Sequence, residues 1–295
     1  QFFQAEDGIR DRSPSRGLGD VYKRQAFVLG RILGLKISQQ FFSKLFQFIG
    51  PKFKSKKIID ENLDKYNSKM STISKKEIIL EMWSNYGKTF IEYIFLDKFR
   101  KNSKHIKIIN KNILEEILKK NKPVVFISGH FANFELMSME ITKQKIKLAT
   151  IYRPLNNYFL NPFMEFLRKR YVCKNQIKKG RAGVRDAIKF VENGFSIALM
   201  IDQRVSEGEV IDFFNNPCLT TTLPSQLALK YNLNIIPVSI KRNLYNNFEL
   251  IFHSAIDANQ YKDKLDLTKH LNNHLESMLN KNTGQWIWTH NRWKL

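Results

Sequence analysis

The stretch "FISGHFANFELM", residues 126–137, places a histidine, His130, directly after Gly129 at the end of an apolar run, with a carboxylate, Glu135, five residues further on. The run at 123–128 reads as a buried strand, and the segment from Phe131 onward reads as an amphipathic helix. Five residues of regular helix turn through about 140°. The two side chains therefore meet only if His130 lies in the strand-to-helix turn and Glu135 in the first turns of the helix. A carboxylate that accepts the far N–H of an imidazole fixes its tautomer and stabilises the imidazolium formed when the ring takes a proton. His130 is then a general base, and the first N–H groups of the helix can receive developing negative charge. The same spacing also suits a histidine that closes a turn beside a solvated glutamate, so the pair needs company.

Three further segments supply it. "TIYRPLNN" (150–157) puts Tyr152 and Arg153 at the end of the next strand, "ALMIDQRVSEG" (198–208) puts Asp202 and Arg204 at the end of another, and "LTTTLPSQLAL" (219–229) opens a helix with three threonines. An Asp beside an Arg can simply close a sheet edge with an ion pair. Two arginines at strand ends point instead to one shared crevice. Other chemistries find less support. Cys173 and Cys218, the chain's two cysteines, have no metal spacing and no histidine context, and read as packing residues. No G-x-S-x-G elbow occurs. His270 and His274 stand at the i, i+4 spacing of a zinc pair, without an evident third ligand.

These residues need a scaffold that presents strand ends together. Strand patterns at 124–128, 147–152, 196–201, 210–214, 235–241 and 249–253 alternate with helical patterns starting at 131 and 161 and at 183–192, 222–231 and 267–279. That alternation predicts an α/β fold, a single domain with a mostly parallel central sheet flanked by helices. Ahead of it, helices are expected at 74–99, with Ser74 as cap and Glu77 completing a capping box, and at about 109–119. Residues 26–57 form an amphipathic segment: an apolar, Phe-rich helix ended by Pro51 and followed by lysines. It suits an interfacial membrane helix and a core-packing helix equally. Residues 1–25 carry four Arg and one Lys, against ten Arg and 34 Lys in the remainder. They resemble a translated sequencing-adapter stretch and are set aside from the catalytic domain at 58–295.

The net charge of +22 calls for an anionic partner. The basic residues are spread along the chain, and no zinc-finger, RNP-type or Gly-rich phosphate motif is present, which argues against nucleic acid. The Lys-rich stretch "KKGRAGVR" (178–185) suits an anion or a plain solvated loop.

"GHFANFE", "YRP", "DQR…FF…TTT" and the terminal "QWIWTHNRWK", in this order, resemble the late acyltransferases of lipid A biosynthesis, the lauroyl/myristoyl transferases of the glycerolipid acyltransferase superfamily. The resemblance implies a glycerol-3-phosphate-acyltransferase-like fold. It implies transfer of a fatty acyl group from acyl carrier protein to a hydroxyl of a Kdo-bearing lipid A precursor, at the cytoplasmic face of the bacterial inner membrane, with no cofactor. His130 and Glu135 match the family's catalytic pair, and Arg153, Asp202 and Arg204 fall in its substrate-binding blocks, with Asn133 and Tyr152 beside them. Ala132 and Asn133 depart from the Gly or Thr of many members, so the acyl pocket does not carry over. Transfer to another lipid or glycolipid, and hydrolysis with water as acceptor, stay open. The terminal Trp286, Trp288, His290, Arg292 and Trp293 read as a tail packed on the domain, with contact to lipid as the alternative.

Overall fold

The computed structural model describes residues 16–155 and 160–295. It opens with α1 (Arg16–Phe53), which breaks at Gly34, φ 76° and ψ 170°, a conformation glycine adopts without a Cβ clash. The helix starts inside the stretch set aside as adapter-like, whose residues 1–15 lie outside the described residues. Once nucleated, a helix extends at little cost per residue. Pro51 does not end it: the proline sits in the last turn, where one lost hydrogen bond costs little, and the helix runs on to Phe53.

Next come α2 (Lys56–Tyr66) and α3 (Thr72–Glu92). The cap of α3 is Ser71, whose hydroxyl accepts from the Ser74 N–H at 3.1 Å, so Ser74 is a first-turn residue and not the expected cap. The second half of α1 packs on α3. Gly87 allows it, since a Cβ there would lie 2.0 Å from the Phe42 carbonyl oxygen. The Phe42 and Phe46 rings sit 5.6 and 5.4 Å from that of Phe90. This half of α1 is thus a core helix on one side and apolar toward solvent on the other: Phe42 is 3% exposed and Phe48 70%.

A 3₁₀ turn leads to α4 (Leu96–Lys101), β1 (Ile106–Ile109) and α5 (Asn112–Lys120). The helix expected near 109–119 therefore starts later, because 106–109 is strand and Asn110 turns the chain at φ 58°. The α/β part follows as β2 (Val125–Ser128), α6 (Glu135–Lys143), β3 (Leu148–Tyr152), α7 (Leu160–Leu167), β4 (Asn175–Lys178), α8 (Arg181–Glu192) and β5 (Ser196–Met200). Then come β6 (Glu209–Phe213), β7 (Asn216–Thr220), α9 (Leu223–Tyr231), β8 (Asn234–Arg242), β9 (Phe248–Phe252), β10 (Ile256–Asp257) and α10 (Lys264–Asn280).

The main sheet has the order β1-β9-β8-β2-β5-β3-β4, with β10 on β8 and β6-β7 as a separate hairpin. From β8 to β4 every pairing is parallel, and β1 is parallel to β9. Within the main sheet, among the described residues, β8–β9 and β10–β8 are the antiparallel pairings, and the β6–β7 hairpin is antiparallel too. All four residues of β2 are buried, as a central parallel strand covered on both faces requires. The sheet is thus mostly parallel and flanked by helices, as the alternation predicts. Ser128 pairs with Met200, which aligns the exits of β2 and β5, and Tyr152 ends β3 on the same edge.

A buried ion pair ties the N-terminal helices to this edge. Arg242, at the end of β8, forks onto Glu92, at the end of α3; one of its bonds, from Nη2 to Oε2, is 3.0 Å. Gln39 Nε2 and Asn133 Nδ2 donate to the same carboxylate at 2.6 and 2.8 Å. Truncating one partner strands the other charge in the interior, which costs about 3–5 kcal/mol. Arg242→Met should therefore lower unfolding free energy by that amount in denaturant titration. The double change Glu92→Gln with Arg242→Met should cost less than Arg242→Met alone.

Candidate active site

His130 follows Gly129 in the turn between β2 and α6. A Cβ on Gly129 would meet the Phe131 ring at 2.7 Å and Asp202 Oδ2 at 3.3 Å, so the turn closes tightly only with glycine. Ala132, two residues on, has φ 44°. A left-handed alanine costs about 1–2 kcal/mol, and hydrogen bonds hold it there. Its N–H donates to Gln285 O at 3.0 Å, and its carbonyl accepts from Thr89 Oγ1 at 3.1 Å and Asn85 Nδ2 at 3.3 Å.

The imidazole's carboxylate is Asp202, not Glu135. Asp202 leaves the end of β5 beside His130, completely buried, and its Oδ1 lies 2.7 Å from His130 Nδ1. Its Oδ2 accepts the His130 backbone N–H at 2.6 Å and the Trp286 indole N–H at 2.8 Å. Burial alone would raise this carboxyl's pKa. The His130 charge, the two His130 hydrogen bonds and Trp286 outweigh that and hold it below the ordinary aspartate value. With Nδ1–H committed to Asp202, Nε2 carries the lone pair.

Glu135 is spent elsewhere. Its Oε1 accepts from Tyr93 Oη at 2.6 Å and from Arg168 Nε at 2.7 Å, and Arg168 also donates to the tyrosine oxygen at 3.1 Å. Glu135 begins α6, so it turns to the α7 side while His130, still in the turn, faces the β5 exit. Arg168 starts a π-helical turn, 168–172, that continues α7; it is buried, and burial pushes the Tyr93 phenol above its ordinary range. The helix N–H groups expected to receive charge are partly used by the turn: Leu136 donates to Asn133 O and Met137 to Phe134 O.

His130, Glu135, Arg168, Tyr152 and Arg153 line a cavity of about 220 Å³. Its lining includes a buried apolar set, Met137, Met164, Val172, Ala198 and Leu199. The Tyr152 hydroxyl donates to Glu165 Oε1 at 2.7 Å, tying β3 to α7; burial and that carboxylate raise the phenol's pKa. Three of the residues expected to bind substrate, Asn133, Asp202 and Arg204, do not line this cavity. Asn133 is buried and hydrogen-bonds Glu92, because the left-handed turn at Ala132 directs it into the core. Arg204 donates its backbone N–H to His290 Nε2 at 2.8 Å and its Nε to Lys294 O at 2.8 Å, so it anchors the C-terminal tail.

Sequence reasoning missed Tyr93, Arg168 and the part played by Trp286. Arg168 stands in "FLRKRY", where nothing separates it from its basic neighbours. Trp286, Trp288, His290 and Arg292 are buried, as a packed tail requires, and Trp286 and Gln285 also enter the site. Burial pushes the Cys173 and Cys218 thiols up, away from thiolate chemistry. The His270 and His274 rings are 4.8 Å apart, and among the described residues no group of three or more His, Cys, Asp or Glu could hold a metal ion.

Burial holds His290 down to about 3, against the opposing pull of Asp202, and His105, behind α4, down to about 4. In the unfolded chain both protonate near 6.5. Between these values the unfolded state binds more protons, so stability rises with pH, by about 1.4 kcal/mol per unit for each histidine. Asp202 acts only below its unfolded value of 3.8, outside this window. The denaturant midpoint should thus fall steadily from pH 6.5 toward 4.5. His290→Gln should remove about half of the slope that the two histidines contribute.

Among curated proteins none matches the chain. Of solved structures, the crystal structure of the 1-acyl-sn-glycerophosphate (LPA) acyltransferase PlsC from Thermotoga maritima is similar at 13% identity and a TM-score of 0.39, covering 86% of this chain and 100% of that one. The family model for bacterial lipid A biosynthesis acyltransferase matches residues 25–295, and so takes in both strand exits, the His130 turn and the terminal tail that closes over Asp202. The chain belongs to the bacterial lipid A biosynthesis acyltransferase family and is an acyltransferase of lipid biosynthesis.

Proposed function

We propose that the chain transfers a fatty acyl group from acyl carrier protein to a hydroxyl of a Kdo-bearing lipid A precursor, with His130 as general base. The observation that carries this reading is the 2.7 Å contact between His130 Nδ1 and Asp202 Oδ1, which leaves Nε2 as the basic nitrogen at the cavity. The acceptor O–H gives its proton to Nε2 as its oxygen attacks the thioester carbonyl. The new C–O bond forms, the C–S bond breaks, and the imidazolium returns the proton to the departing thiolate. Asp202 stabilises the imidazolium. Glu135 acts as a positioning residue through Arg168 and Tyr93, keeping the guanidinium on the cavity wall. Arg153, on the same lining, supplies charge for the oxyanion or for a phosphate of the acceptor.

The proposed working place is the anionic cytoplasmic face of the bacterial inner membrane. No helix among the described residues is long and apolar enough to cross a membrane. Instead α1 exposes Ile32, Ile37 and Phe48, and α7, joined to it by the Phe27–Phe163 contact at 5.8 Å, exposes Phe163 and Phe166. Arg31 and Lys52 flank these apolar positions, the pattern of an interfacial surface.

The test is transfer of labelled acyl groups from acyl carrier protein to the lipid A precursor in anionic vesicles. His130→Ala should abolish product. Asp202→Asn should lower kcat by about 10²–10⁴-fold. Label released only as free fatty acid would favour hydrolysis instead. A Glu135→Gln variant with the larger loss, and a near-normal Asp202→Asn, would overturn the assignment of Asp202.

A further inference from the structure

From Arg168 to Arg185 the chain carries eight basic residues and no acidic one. Arg168 is buried against Glu135, and the other seven are exposed. Four of them, Lys178, Lys179, Arg181 and Arg185, gather at one corner, where β4 ends and α8 begins. Two acids stand beside them: Glu165, which Lys178 meets at 3.8 Å and which also takes the Tyr152 hydroxyl, and Asp186, next to Arg185 in α8. The first turn of α8 holds no acid and no side chain caps it, so its dipole adds charge of the same sign.

The corner stands to one side of the base. Gln176 pairs with Thr150, Thr150 with Ala198 and Ala198 with Phe126, so these four are level across neighbouring strands. His130 is four residues beyond Phe126, and Gly180 is four beyond Gln176. Three strand spacings of about 4.8 Å put the corner roughly 14 Å from His130 across the sheet. Lys179 connects the two places. Its N–H donates to Tyr152 O at 2.9 Å, and it is an exposed residue that lines the cavity beside Arg153, so the corner reaches the cavity's opening. A protein body seated on the corner stops short of the base, and a thioester held on a flexible arm covers the gap.

Topology sets this corner apart from the apolar surface of α1 and α7. Crossovers between parallel strands are right-handed, so those that move in opposite directions along a sheet lie on opposite faces. The step from β3 to β4 carries α7 outward to the sheet edge, and the step from β4 to β5 carries α8 back. α7, with its exposed Phe163 and Phe166, therefore lies on one face and α8 on the other. Among the described residues from 167 to 209, no large apolar side chain is exposed, whereas an element that enters a bilayer interface needs such side chains. A cationic corner without them complements an acidic protein surface.

We infer that the β4–α8 corner is the docking surface for an acidic carrier protein, which seats on Lys178, Arg181 and Arg185 and passes its thioester-bearing arm over Lys179 into the cavity. The inference rests on the donor proposed above and adds where that donor binds.

The test titrates fluorescently labelled acyl carrier protein onto the full-length protein, and measures transfer from acyl–acyl carrier protein and from the small thioester acyl-pantetheine. The double variant Arg181→Glu with Arg185→Glu, at a wild-type melting midpoint, should raise Kd for the carrier about tenfold, and the wild-type Kd should climb with salt. The milder R181Q with R185Q should fall between the two, and serves alone if the reversal does not fold. KM for the carrier-borne donor should rise with kcat near normal, and turnover of acyl-pantetheine should not change. Equal carrier binding by the wild type and the folded variants would overturn the surface, as would a wild type that binds no carrier. Weaker binding of the variants to phosphatidylglycerol vesicles, with carrier binding intact, would overturn it in favour of lipid headgroups. Corner-dependent carrier binding without any transfer to the lipid A precursor would count against the proposed function and leave the surface standing. Transfer from acyl–acyl carrier protein at an unchanged KM in the variants would do the reverse.

Discussion

The structure turns on one buried carboxylate. Asp202 is removed entirely from water, and an ionised carboxylate in such a place costs several kcal/mol unless its oxygens are fully engaged. Its oxygens take two bonds from His130, one main-chain and one side-chain, and one from Trp286. Each donor requires a different part of the fold. The His130 bonds require β2 and β5 to be parallel neighbours with aligned exits. The Trp286 bond requires the last residues of the chain to return to that edge. The sheet order and the tail are therefore conditions for the same imidazole tautomer.

A second buried pair does for the backbone what Asp202 does for the ring. Glu92 and Arg242 reach one another from α3 and β8, and Asn133 joins them from the turn. Neighbouring residues of α3, Thr89 and Asn85, hold the Ala132 carbonyl. The left-handed strain at Ala132 is thus offset by hydrogen bonds anchored in helices that precede the sheet. This gives α1 and α3 a part in positioning the base, although neither lines the cavity with a group of the proposed chemistry.

Much of this was legible in the residues. The strands at 148–152, 196–200 and 234–242 carry continuous apolar runs, and their buried environments keep them so. β1, β4, β7 and β10 were missed: β1 is a four-residue strand hidden ahead of a helix, and β4, "NQIK", is a polar edge strand whose pairing with β3 comes from tertiary contact rather than propensity. His130 and Asp202 could each be picked out at a strand end, but their pairing could not. Spacing along a chain speaks of helix faces and turns. It says nothing of which strand exits lie side by side until the sheet order is known. Glu135 was the nearer carboxylate in sequence and lost the imidazole to one 72 residues away.

That exchange separates two jobs a histidine–carboxylate motif is usually asked to do together. Glu135 opens α6 on the far side of the turn, where the π-helical Arg168 meets it, and their mutual neutralisation leaves a compact, nearly neutral wall with Tyr93. Asp202 keeps its negative charge against the ring, where an imidazolium forms. Were Glu135 to hold the ring as well, two carboxylates would crowd one imidazole and Arg168 would be left buried without a counter-charge, the costlier arrangement in an interior of low dielectric. The division of the two carboxylates between a base and an arginine follows from charge balance in a buried site, with the turn at Gly129 and Ala132 supplying the geometry that makes it reachable.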